Sequence, residues 1–151
     1  MDGLYLFLQR PIVWIFTLFF ILFYPMLISI YVFLPLLIGL MGYMLIDGIE
    51  KGKIKYVLVA SFYFINLEAN LSLPFFLTLI SVLLVYVLFF PYLKHFRRCL
   101  MCSRLITVLL LDGVYLGMLL SYDFLFQKTS VILDLLLVYS FIVDLLVVSL
   151  L

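Results

Sequence analysis

The sequence predicts an all-α integral membrane protein, a bundle of six transmembrane helices with five as the alternative count. Three observations predict it. The chain of 151 residues is 69% hydrophobic and only 11% charged, against about 45–50% apolar and about 25% charged in an ordinary soluble domain. Its mean hydropathy is +1.41, and a fold of this size has too little interior to hide that much apolar surface from water. Most of its Lys and Arg fall into two short clusters, Lys51, Lys53 and Lys55, then Lys94, Arg97, Arg98 and Arg104, with long apolar runs on either side. Spans in lipid must satisfy their own backbone, so they are helices or a closed barrel. Apolar runs without polar alternation exclude the barrel.

The first apolar run extends from Pro11 to Ile46, about 54 Å as one helix and far longer than a bilayer core. Tyr24-Pro25 is the expected break, because proline donates no N–H and restricts its predecessor. Helix 1 is therefore expected at 11–24 and helix 2 at 27–47, with Pro35 kinking helix 2. The one Arg before this run and the lack of a small-residue cleavage site read as an uncleaved first helix rather than a signal peptide.

Asp47 to Lys53 is polar and holds Gly48 and Gly52, a turn. Helix 3 follows at 54–67, and a turn at 68–72. Helix 4 runs over 74–90, with Pro74 suited to a first helical turn. Residues 91–104 form a basic loop, helix 5 covers 105–122, 123–129 is a short polar loop, and helix 6 starts at 131. With no internal repeat or low-complexity linker, residues 1–151 read as one domain.

Charge orients this bundle. With Arg10 inside, eight of the nine Lys/Arg lie on one side and only Lys128 on the other, which by the positive-inside rule puts both termini in the cytoplasm. In the five-span alternative, 11–46 is one tilted or re-entrant element.

Acidic residues within spans cost about 2.5–3.5 kcal/mol at a helix centre and are functional hypotheses by default. Asp112, Asp134 and Asp144 are of this kind. They could hydrogen-bond across the bundle, contact a partner helix, or hold a proton or cation. Asp134 and Asp144 lie about 80° apart around one helix and form no tight pair. Gly113 and Gly117 make a GxxxG in helix 5, and Gly39 and Gly42 a similar pair in helix 2. Such glycines let helices approach closely, within the chain or between chains. Lys94, Arg97, Arg98 and Arg104, with Tyr92 and Phe96 among them, suit the lipid headgroup zone. Cys99 and Cys102 form a CxxC without the further ligands zinc needs. No nucleophile set, phosphate loop or metal-spaced motif is present. The sequence therefore points to no enzyme, no cofactor and no metal, and no basic face broad enough for nucleic acid.

The segment Pro35-Leu-Leu-Ile-Gly39-Leu-Met-Gly42-Tyr-Met-Leu-Ile-Asp47-Gly48, followed by Gly52, resembles the rod-shape-determining MreD family. That family has a Gly-rich helix end closing on an Asp at the membrane edge, then a short Gly loop. Tyr43 and Met44 stand where the family more often has small residues. The resemblance implies a non-catalytic inner-membrane scaffold of the bacterial cell-wall elongation machinery, coordinating cell shape and peptidoglycan synthesis. It implies as partners a single-span MreC-like protein, and through it the cell-wall synthesis enzymes and the actin-like filament. Gly39, Gly42 and Asp47 would form one packing edge, and Asp112, Gly113 and Gly117 a second candidate face. The family also resembles the substrate-binding components of vitamin transporters in fold. The rival expectation is a small-solute-binding transporter subunit, with Glu68, Asn70 and Asp123 gathered over a pocket.

Overall fold

A computed structural model describes residues 11–31, 34–93, 100–127 and 135–150. Among these residues the fold is all-helical. It comprises α1 (Pro11–Ile30), α2 (Ile38–Glu50), α3 (Ile54–Asn70), α4 (Leu77–Leu88), the short α5 (Phe90–Leu93), α6 (Leu100–Phe126) and α7 (Leu135–Leu150). Two helices are long and apolar enough to cross a membrane: α1, with mean hydropathy 2.3, and α6 over Cys102–Phe126, with 1.8.

The first break lies elsewhere than Tyr24-Pro25. α1 runs unbroken through Pro25, and the chain leaves the helix only after Ile30. The physical reason is on α3. Proline at position 25 cannot donate to the Ile21 carbonyl four residues back. Asn66 Nδ2 donates to that carbonyl instead at 2.9 Å, and to Leu22 O at 3.1 Å. The break comes around Pro35, where a kink was expected, and Leu37 takes a left-handed φ of 51° before α2 starts. α2 is thus 13 residues, about 20 Å, not a full span of helix.

Other ends shift too. Asp47 belongs to α2, and the turn is confined to Lys51-Gly52. Pro74 precedes α4 rather than starting it, because Phe76 at φ 65° is the N-cap residue. Arg104 and Asp123 are helical, inside α6. Lys94, Arg97, Arg98, His95, Cys99, Arg10, Lys128 and Asp134 lie outside the described residues.

The six longer helices alternate in direction. α1 runs parallel to α3, since Trp14 meets Tyr56 and Ile21 meets Asn66. α2 returns antiparallel to α3 across the Lys51-Gly52 turn. α4 descends from the Glu68 end of α3 toward Gly42 of α2. α6 climbs from Arg104, bonded to Tyr43, to Asp112 beside Gly39. α7 descends from Ser140 to Asp144 along the same stretch of chain. α2 sits at the centre, touching α3, α4, α6 and α7.

The core is one apolar cluster drawn from α1, α2, α3, α4 and α6, with Tyr63, Phe64, Ala60, Leu67 and Val85 fully buried. Outward faces are equally apolar: Ile15, Phe16 and Phe19 are 67%, 71% and 60% exposed. One end is different. Lys51, Lys53, Lys55 and Arg104 gather there with Trp14, Tyr43 and Tyr56, with Lys53 over the Tyr56 ring and Lys55 over Trp14 at 5.4 and 5.7 Å.

Candidate functional site

The site begins with the interruption between α1 and α2. Non-helical backbone inside an apolar bundle must find partners from elsewhere. Here they come from side chains on three helices. Tyr24 of α1 donates to Pro35 O and Tyr63 of α3 donates to Leu36 O, both at 2.8 Å. Leu36 N donates to Ser140 Oγ of α7 at 2.9 Å. Gly39 N, in the first turn of α2, donates to Asp144 Oδ2 at 2.9 Å. The start of a helix presents unpaired N–H groups and partial positive charge, which suits a carboxylate.

Asp112 of α6 reaches the same point. A Cβ placed on Gly39 would lie 2.6 Å from Val108 Cγ1 and 2.9 and 3.0 Å from the two Asp112 carboxylate oxygens. Gly39 therefore has to be glycine for Asp112 to sit there. Two carboxylates thus converge on one backbone amide. Asp144 is 1% exposed, yet its Oδ1 has no hydrogen-bond partner among the described residues, and neither does Asp112 Oδ2. A largely apolar cavity of about 270 Å³ lies between α6 and α7, with Asp112, Gly113, Leu116, Val138, Phe141 and Asp144 among the residues that line it.

The expected packing glycines separate into two kinds. Gly39 and Gly42 are buried, and a Cβ at Gly42 would approach Leu111 and Val82 to 3.0 and 3.2 Å. They hold α2 against α6 and α4. Gly113 and Gly117 are exposed with nothing within 4 Å of a built Cβ, so the described chain does not pack on them, and Gly113 also lines the cavity. Asp47 ion-pairs with Lys51 one turn on, at 2.8 Å on the surface. Arg104 sits at the aromatic and basic end. The sequence offers Asp112 and Asp144 as separate acids, and the fold brings them together at Gly39 across α6 and α7. Ser140, Tyr24, Tyr63 and Asn66 were missed. Their signal was polarity within apolar runs.

The residues expected over a solute pocket are used otherwise. Glu68, 1% exposed, accepts from Phe76 N, Thr78 N and Thr78 Oγ1 at 2.7, 2.8 and 2.6 Å. It caps α4 where α3 turns over. Asn70 donates to Asn66 O and Oδ1, both at 2.8 Å. Asp123 lies on α6, and none of the three lines the cavity. Among the described residues no group of three or more His, Cys, Asp or Glu is placed to hold a metal ion.

Comparison of the chain with protein-family models, with curated proteins and with solved structures finds no match.

Proposed function

We propose that this chain is a multi-pass membrane protein whose task is to hold a partner helix, a non-catalytic scaffold of the MreD type in the bacterial cell-wall elongation machinery. The observation that carries the reading is the outward Gly113/Gly117 face of α6. A helix long enough to span, with two glycines one turn apart and none of the described residues packed on them, is a surface another helix can approach closely.

Two features support the membrane setting. Large apolar side chains cover the outside of α1, which in water would cost about 25 cal/mol per Å². Cations and aromatics meet at one end, the composition of a membrane–water boundary. With six alternating helices, that end faces the cytoplasm of the inner membrane and carries the start of α1 and the end of α7. The partner is a single-span protein of the MreC kind, and through it the wall synthesis enzymes.

The alternative, a solute-binding transporter subunit, draws support from the cavity at the α1–α2 break. Glu68 and Asn70 speak against the form of it that needs an outer polar rim, since internal bonds consume both.

The test is co-purification of tagged protein from its native host. Gly117→Leu should leave the fold intact and reduce recovery of an MreC-like protein by at least about tenfold, since bulk at a close helix contact readily costs about 1.4 kcal/mol. Equal recovery with Gly117→Leu excludes this face. Recovery of an ATPase-linked transport subunit in place of wall enzymes promotes the transporter.

A further inference from the structure

Asp112 and Asp144 compete for a single donor. Asp144 Oδ2 takes the Gly39 N–H at 2.9 Å, and Asp112 draws on the same N–H. Asp112 Oδ2 and Asp144 Oδ1 are fully buried and have no hydrogen-bond partner among the described residues. Two carboxylates brought together in an apolar layer repel each other, and burying each one ionised without a counter-charge is expensive.

The surrounding elements supply no counter-charge. From α1 and α3 come Tyr24 and Tyr63, whose hydroxyls donate to Pro35 O and Leu36 O. α7 adds Ser140, which accepts from Leu36 N, while Tyr139 is on its exposed side. On α6, Tyr115 lies one turn beyond Asp112 and is buried. Tyr86 of α4 packs on Phe90. The ionisable groups of α2 fall in its second half, where Asp47 pairs with Lys51. Phenols are neutral below a pH of about 10. The described cations are remote. Lys53 and Lys55 are at the start of α3, beyond the far end of α2. Arg104 lies eight residues before Asp112 on α6, about 12 Å along the axis, and bonds Tyr43.

Burial limits what else could serve. A solute or hydrated ion needs accessible surface, which the two orphan oxygens lack, and the neighbouring cavity is almost wholly apolar. A proton needs no room. On one orphan oxygen it converts an acceptor into an O–H donor and cancels one of the two charges. Donated to the other carboxyl, it satisfies both oxygens at once.

We infer that Asp112 and Asp144 form a proton-binding site, in which the pair holds one proton that latches α6 and α7 onto the start of α2. Binding the proton makes one O–H bond on a carboxylate oxygen and takes the pair from two negative charges to one. Releasing it leaves two like charges on one N–H and loosens the closure at Gly39. The site lies apart from Gly117 and stands whether or not the scaffold reading does.

The experiment uses the full chain in lipid nanodiscs with isotope-labelled aspartate. Infrared spectroscopy then counts protonated aspartate carboxyls by their C=O band. At neutral pH, Asp112→Asn and Asp144→Asn should each remove the same one-carboxyl share of the band that the double variant removes, because the Asn amide donates to the remaining carboxylate as the O–H does. In the unaltered chain, raising the pH should remove that share as a one-proton titration. Tm should fall with it, since the folded state binds more protons than the unfolded state and stability then drops as pH rises. Either Asn variant fixes the charge of the pair, so its Tm should stay level over the same range. Loss of half the double-variant share in each single variant means two separate protons and overturns the inference. So does a band that neither variant changes. The unaltered chain decides the matter even where an Asn variant misfolds: no protonated aspartate at neutral pH overturns the site, and a Tm that stays level while the band is lost overturns the latch.

Discussion

The Asn66 side-chain amide supplies the hydrogen bond that Pro25 cannot make. Its Nδ2 lies 2.9 Å from the Ile21 carbonyl, the acceptor that an N–H at position 25 would serve in an unbroken helix. This one contact lets α1 continue to Ile30 and fastens it to α3 at the same place.

Asn66→Leu should therefore destabilise the fold by about 1–2 kcal/mol, in the range of interhelical and buried hydrogen bonds. In a Pro25→Ala background, where the backbone donor is restored, the same substitution should cost clearly less. A double-mutant cycle by reversible unfolding in mixed micelles measures this. Equal costs in both backgrounds would detach Asn66 from Pro25.

Glu68 is the second polar tie. It accepts two backbone N–H groups and a hydroxyl at the start of α4. Glu68→Ala should cost about 2–3 kcal/mol, since it leaves two backbone N–H groups and a hydroxyl without their acceptor. Thr78→Val, which removes only the hydroxyl donor, should cost about 1 kcal/mol. The same unfolding measurement ranks them, and a reversed order would count against the cap.

Gly39 and Gly113 should respond oppositely to alanine. At Gly39 a methyl meets Val108 at 2.6 Å, and overpacking of this sort costs about 1–3 kcal/mol. At Gly113 nothing lies within 4 Å, and Gly→Ala within a helix is then neutral or mildly stabilising, by up to about 1 kcal/mol. Thermal shift of the two purified variants against the parent decides it.

Topology is open to direct labelling. On the proposed orientation, with Cys99 and Cys102 changed to Ser, Lys53→Cys should react with an impermeant maleimide only after the membrane is opened. Ser72→Cys, at the opposite end of α3, should react in intact spheroplasts. The reverse pattern would invert the orientation, and equal labelling of both would remove the membrane reading.

Much of the helix order was legible because apolar length and polar turns are local properties. The Lys51-Gly52 turn, the reversal after Asn70 and the apolar body of α6 all follow from runs of residues read in place. The helix ends were less legible. Arg104 and Asp123 looked like loop residues because they are polar, yet each sits on the first or last turns of α6, and from there the long Arg104 side chain can reach out of an apolar layer. Pro25 and Pro35 are equivalent by any local rule. Which one ends a helix depends on Asn66 being across from the first, while Tyr24, Tyr63 and Ser140 receive the open backbone around the second.

The sequence by itself determined the class of this protein. Composition and runs demand helices with an apolar outside, and Lys51, Lys53 and Lys55 mark a distinct end, because those properties depend on which residues are present and in what order. Only the tertiary structure decided the site. Asp112 and Asp144 are 32 residues apart in the chain and meet because Gly39 lets α6 come close to α2 while α7 crosses the same helix start. Hydrogen-bond partners and shared cavities are relations between elements, and no single stretch of sequence carries them.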